Sequence, residues 1–412
     1  MSNNLWRKEV LLIANLLPAI VNFFTSILLA KFIGFELAGL WFFLRSLSQI
    51  SVSVNPGFLQ ALLIKGNNFT FTKNILSIAK ILAITWSIVN FFIFILFLNL
   101  LGKGNGLISY LTCFYWISLS IFNYFAIILR INLDGKSMLM LSIADVLISL
   151  FILTSLFYLG LEWFIFFNGL KFFIKAYLAK YLLDKKKEIS TSKANLTIHS
   201  YLISSKELFN IGGGLSFKGI IQTISQYGDK FIFGLILTNE MLGFISLGST
   251  LGLPLAILMS SFYTWSLPFL NDKNYLSNNS KIFLFLLLLL LLYPLSSFTI
   301  YLIYDLSAKN FLIVLCGLIF MVLQIILNFS CALLFKKYGT WLSSLLQLII
   351  IVICYLLVYL YYQWGFELYF ALSIGSLFLV IVSTCVLFIP FKNKSFYLLL
   401  FGLHLIYPLF YS

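Results

Sequence analysis

Apolar blocks separated by short breaks rich in charge, glycine or asparagine recur along the whole chain of 412 residues. They fall near 10–33, 37–64, 75–101, 107–130, 137–160 and 162–183, and then near 207–237, 241–269, 282–304, 310–335, 341–363 and 366–390. A helix of about 20 apolar residues spans the hydrocarbon core of a bilayer, so each block predicts a crossing. The fold class expected is therefore an all-α membrane protein of about twelve transmembrane helices in two six-helix bundles. A last apolar stretch, 396–411, is short for a crossing; whether it crosses or lies in the interface stays open.

The breaks divide into two classes by charge. Arg7/Lys8, Lys65/Lys73, Arg130/Lys136, the Lys185–Lys187 cluster with Lys193 and Lys206, Lys273/Lys281, Lys336/Lys337 and Lys392/Lys394 occupy every second break. The intervening breaks hold Lys103 and Lys309 against Glu36, Glu162, Glu240, Asp305 and Glu367. Basic residues resist translocation, so the alternation predicts that both ends of the helical body face the cytoplasm. The first apolar run has no small-residue cleavage site and is read as a retained span.

Composition agrees with this solvent. Of the residues, 61% are hydrophobic and 10% charged, and the mean hydropathy is +1.03; an aqueous core does not hide that much apolar surface. The net charge of +14 becomes an orientation signal and an attraction to anionic headgroups, not a nucleic-acid footprint. Five cysteines lie inside apolar blocks without a Cys-x-x-Cys pair, which reads as packing; no metal site and no cofactor are expected. The expected domains are 1–190, a first six-helix bundle; 191–206, a basic cytoplasmic loop; 207–392, a second bundle; and 393–412, a short apolar segment.

A faint repeat relates the halves at an offset of 204 residues: Glu36-x-x-Gly39 matches Glu240-x-x-Gly243, and Leu47 matches Leu251. Polar stripes fall at equivalent positions. Asn15, Pro18, Asn22 and Ser26 share one face of the first span, and Lys218, Gln222, Ser225, Gln226 and Asp229 one face of the span 207–237. Parallel repeats of this kind commonly hold a binding site between them. Gly212-Gly213-Gly214 permits either close packing or a hinge, and Pro18, Pro56, Pro254, Pro268 and Pro294 are candidates for kinks.

An ionisable residue near the centre of a spanning helix costs about 2.5–3.5 kcal/mol on insertion scales. Arg45, Lys171, Lys175, Lys218 and Lys230 lie deep, against Asp145 and Asp229. Asp229 and Lys230 are able to neutralise one another, and Asp145 to pair with a lysine of its own half; Lys31 reads as a snorkelling residue. The deep set is net cationic, which favours an anionic ligand. The substrate-binding candidates are Arg45, Lys171, Lys218, Gln222, Gln226, Lys230 and Asn22; the ion-coupling candidates are Asp229 and Asp145.

The chain resembles the Wzx-type polysaccharide flippases of the multidrug/oligosaccharidyl-lipid/polysaccharide exporter superfamily. The resemblance rests on Leu28-Leu29-Ala30-Lys31-Phe32-Ile33-Gly34 with Gly39-Leu40-Trp41, and on Asp229-Lys230-Phe231-Ile232 followed by Glu240-x-x-Gly243. It implies a V-shaped pair of bundles around a cationic central cavity. It also implies flipping of undecaprenyl-diphosphate-linked oligosaccharide repeat units (O-antigen or similar) to the periplasmic leaflet by alternating access, with polymerase and ligation machinery as partners. Arg45, Lys218, Asp229 and Lys230 are the residues it assigns to the charged lumen. A drug/cation antiporter of the same superfamily is the alternative, but calls for an acidic cavity. A membrane polysaccharide polymerase needs a large outer loop that the pattern lacks. An acyltransferase needs a histidine beside an acid, and neither His199 nor His404 has one in sequence. No phosphate-binding glycine loop is present, so ATP is not the expected driver.

Overall fold

The structure is a computed structural model that describes residues 17–18, 20–21, 23–54, 73–102, 106–131, 135–185, 198–252, 303–338 and 340–388. The expectations for Asn15, Asn22, Pro56, Pro254, Pro268, Pro294 and the segment 396–411 lie outside these residues. Among the described residues the regular elements are all helical. They are α1 (Phe23–Ile33), α2 (Phe35–Ser53), α3 (Lys73–Leu100), α4 (Gly106–Ile131), α5 (Gly135–Lys185), α6 (Ile198–Ile236), α7 (Asn239–Leu251), α8 (Ala308–Tyr338), α9 (Thr340–Gln363) and α10 (Leu368–Phe388).

Stretches of α3, α4, α5, α8 and α9 are long and apolar enough to cross a membrane, and α1 and α10 hold shorter apolar runs. Ile84, Ile88, Phe92 and Leu96 stand exposed along α3, as do Leu345, Ile349, Val352 and Leu356 along α9. Rows of large apolar side chains facing outward at helical spacing need an apolar solvent. The chain is an all-α, multi-pass membrane protein.

As one straight rod, α5 with its 51 residues would be about 76 Å long, more than twice the hydrocarbon core. Gly160 breaks it at φ +75°, a conformation that glycine adopts without the Cβ clash of other residues. The break falls where the pattern separates the spans 137–160 and 162–183. By contrast, α6 begins at Ile198, so the second part of the segment read as a loop at 191–206 is helical. The polar residues His199, Ser200, Ser204 and Ser205 suit a helix continued past its apolar stretch.

The chain forms two compact units, Met1–Thr25 with Leu40–Leu235, and Ser26–Gly39 with Ile236–Ser412. This grouping differs from the division by sequence, because almost all of α6 joins the first unit. Phe231 of α6 stacks on Phe43 of α2, with ring centroids 5.9 Å apart. In this unit α4 packs along α5, where Leu129, Met138, Leu141 and Ala179 form one core. Trp41 of α2 meets Tyr115 of α4 and Phe164 of α5 edge-on, at 5.3 and 5.2 Å.

In the second unit α8 packs against α7, α9 and α10. Its closest approaches are made by glycine. A Cβ on Gly248 would run into the Val314 carbonyl oxygen, and one on Gly317 would lie 2.6 Å from that of Ile245. Small residues at such points let helix backbones approach in a membrane, where no hydrophobic force drives helices together. The starts of α2 and α7 meet in the same way: a Cβ on Gly39 would strike the Asn239 carbonyl, and one on Gly243 the Phe35 carbonyl. The contact is reciprocal, since Phe35 and Asn239, like Gly39 and Gly243, are separated by the repeat offset of 204.

Lys309 and Glu367, assigned by charge to breaks of the same class, pair at 2.8 Å. The two breaks therefore lie at one end of the unit. Both side chains are about half exposed, and surface pairs of this kind contribute little. The Lys309→Ala substitution is expected to leave the midpoint of thermal unfolding in detergent unchanged, as followed by circular dichroism.

Candidate functional site

Charge gathers inside the first unit. Folding α5 back at Gly160 brings Asp145, fifteen residues before it, against Lys175, fifteen residues after it. Lys175 Nζ donates to Asp145 Oδ1 at 2.8 Å, and Lys171 Nζ lies 3.7 Å from the same oxygen. Lys171 also donates to Ser149 Oγ at 3.2 Å. All three charged groups are buried, and Phe122 and Phe172 wall them: Lys175 Nζ stands 4.3 Å from the centroid of the first ring and 5.1 Å from that of the second. Each wall offers a cation the negative face of an aromatic ring.

A second pair comes from α6. Lys230 Nζ lies 3.3 Å from Asp229 Oδ2, with both residues buried. Arg45 of α2 is half-buried and within electrostatic reach of both Lys171 and Lys230. The buried Tyr115 hydroxyl is also within its electrostatic reach, and Gln49, one turn along α2, donates to that hydroxyl at 3.4 Å. Among the described residues no carboxylate pairs with Arg45.

Four cations thus share two carboxylates, a surplus of two positive charges in a largely buried setting. Repulsion among unpaired charges is strong where water is excluded. The arrangement is suited to an anion that brings its own negative charge, and a guanidinium beside an ammonium group is a donor set for phosphate oxygens. Among the described residues no group of histidine, cysteine and acidic side chains is placed to hold a metal ion.

The sequence candidates are not all brought together. Arg45, Lys171, Lys230, Asp229 and Asp145 belong to the cluster. Lys218 lies eleven residues before Asp229 on α6, about 16 Å along the axis, where it is half-buried. Gln222 is exposed on the same helix and Gln226 half-buried one turn before Lys230. Asn22 lies outside the described residues. Tyr115 and Ser149 carried no separate signal in sequence; both are single polar positions inside apolar runs.

No protein-family model matches the chain, and no curated protein matches its sequence. Solved structures do match its fold. An inward-facing multidrug resistance MATE family transporter of the MOP superfamily superposes with a TM-score of 0.60 at 14% identity, covering 97% of this chain and 96% of that one. A mutant of the Vibrio cholerae MATE transporter VcmN gives 0.56 at 15% identity, covering 95% and 98%. The chain shares the MATE fold over nearly its full length.

Proposed function

We propose that this protein is a transporter that flips undecaprenyl-diphosphate-linked oligosaccharide repeat units from the cytoplasmic to the periplasmic leaflet of a bacterial inner membrane. The observation that carries the reading is the surplus of positive charge in the first unit, with Arg45 unpaired by any described carboxylate. A diphosphate supplies the missing negative charge and accepts charge-assisted hydrogen bonds from Arg45, Lys171 and Lys230. The fold supports transport by alternating access, and the apolar outer faces suit a lipid tail that stays in the bilayer. Asp229 and Asp145 are the acids through which a proton or sodium gradient would act. Lys218, Gln222, Gln226 and Asn22 belong to the path of the glycan in this reading, and the polymerase and ligation machinery receive it.

A drug/cation antiporter is the competing reading, favoured by the fold's likeness to a multidrug resistance transporter. The sign of the cluster opposes it, because an organic cation gains nothing from three buried lysines beside the half-buried Arg45.

Deleting the gene in its host is expected to accumulate lipid-linked repeat units and remove surface polysaccharide. Wild-type protein restores the polymer, and Arg45→Ala restores less than about one hundredth of the rate if it removes about 3 kcal/mol of headgroup binding. Normal polymer with altered drug sensitivity in the deletion strain would overturn the reading in favour of the antiporter.

A further inference from the structure

A second polar place lies in the first unit, apart from the charged cluster. The end of α2 is tied to its neighbours by side chains. Trp86 Nε1 of α3 donates to the Val54 carbonyl at 2.7 Å, and Trp116 Nε1 of α4 donates to Ser51 Oγ at 3.1 Å. Asn90 Nδ2 donates to the carbonyls of Ser51 and Val54. The Val54 carbonyl thus takes two side-chain donors, and the Ser51 carbonyl takes one beside the Val54 amide; the bonds to Val54 and to Ser51 Oγ fix the two indole rings.

Beside this knot is a cavity of about 40 Å³, room for about three water molecules and open on one side. Trp86 and Ser87 of α3 line it, opposite Ser120, Asn123 and Tyr124 on one face of α4. Trp116 packs against Phe91 and Phe94, whereas Trp86 has no aromatic neighbour among the described residues. Ser120 and Asn123 make no hydrogen bond among the described residues. Among the described residues no charged side chain lines the cavity.

We infer that this cavity is a subsite for one edge of a neutral sugar ring. A pyranose has an apolar face of C–H groups, which suits a fixed indole such as Trp86. Its neighbouring hydroxyls suit an amide that both donates and accepts, as Asn123 does, with Ser120 one turn away. An apolar ligand would cover these groups without satisfying them. A charged ligand would find no counter-charge among the described residues. Because the indoles are held by hydrogen bonds to α2, little freedom is lost when the ring docks. The choice of a glycan as the ligand rests on the transport reading above, and the recognition chemistry rests on the cavity alone.

The test uses the full-length protein in lipid nanodiscs, with tryptophan emission and equilibrium binding as readouts. The probes are undecaprenyl diphosphate, the same lipid bearing N-acetylglucosamine, glucose or galactose, and the three free sugars. At least one sugar-bearing lipid is expected to bind about tenfold more tightly than the bare diphosphate, the value of one or two good hydrogen bonds. Ser120→Ala with Asn123→Ala abolishes that preference and leaves bare-diphosphate binding unchanged, which also shows that the variant is folded. Trp86→Phe removes the emission change and weakens the preference. Arg45→Ala weakens bare and sugar-bearing lipid alike, so failure of the cationic site and failure of the sugar site are separable. Saturable binding of a free sugar that the double variant loses supports the subsite with a free saccharide as its ligand. No preference for any sugar in either form, or a preference that survives the double variant, overturns the inference.

Discussion

Gly243→Val is expected to prevent the second unit from assembling, with a loss of about 3 kcal/mol or more. The new Cβ would meet backbone, the Phe35 carbonyl and Cα at the start of α2, and backbone does not step aside as a side chain rotates. Relief requires α2 and α7 to separate. That would also disturb the packing of Phe35 on Phe244, whose ring centroids are 4.2 Å apart. Gly39→Val should cost a similar amount, because the obstacle is the reciprocal one, the Asn239 carbonyl. Gly219→Ala on α6 is the control: nothing stands within 4 Å of its Cβ, and alanine in a helix is better than glycine by about 0.5–1 kcal/mol. Thermal unfolding in detergent, read as the loss of monodisperse protein, should separate the three variants clearly. Equal midpoints for Gly243→Val and wild type would show that the close approach is absent in the membrane.

Asp145→Ala is the second large effect expected. Asp145 is the shared counter-charge of Lys171 and Lys175, and removing it leaves two ammonium groups buried together. Breaking a buried pair in this way costs about 3–5 kcal/mol, mostly from the charge left behind. Lys175 keeps some stabilisation from the rings of Phe122 and Phe172, which sets the loss towards the lower end. Replacing all three together, Asp145→Leu with Lys171→Met and Lys175→Met, should recover most of the stability, since apolar residues of similar volume substitute well for buried ion pairs. The triple variant also separates roles: a folded protein that no longer transports assigns the triad to function, and one that still transports assigns it to structure. Chemical unfolding of the reconstituted protein and flipping in vesicles are the two measurements.

Much of the architecture is legible in the chain because membrane solvation leaves few options. An apolar run bounded by charge becomes a helix, and the break at Glu162 correctly separates two spans that Gly160 divides. The pairing of Lys309 with Glu367 puts two breaks of one class at the same end of the second unit. Pairing inside the membrane is harder to read. Spacing shows that Asp145 needs a partner and offers several lysines; only the fold at Gly160 selects Lys175 and Lys171. The same limit explains Lys218, which shares a helical face with Asp229 in sequence but lies too far along the axis to join the cluster. Periodicity gives the face of a residue and not its depth relative to groups on other helices.

The knot at the end of α2 was hidden for a related reason. Trp86, Asn90 and Trp116 look like interface aromatics and an isolated polar residue when each span is read alone. Their shared target, the last turn of α2, becomes evident only when three helices are placed side by side. Tyr115 is similar: one hydroxyl in an apolar run has no meaning until Gln49 donates to it from α2.

The mutual fit of Gly39 on Asn239 and Gly243 on Phe35 is a local symmetry. When one surface meets a copy of itself about a two-fold axis, every contact occurs twice with the roles exchanged. A single chain has no need of that rule, yet these four positions obey it. The rule holds locally at the starts of α2 and α7, so a side chain added at Gly39 and one added at Gly243 meet the same obstacle with the partners exchanged.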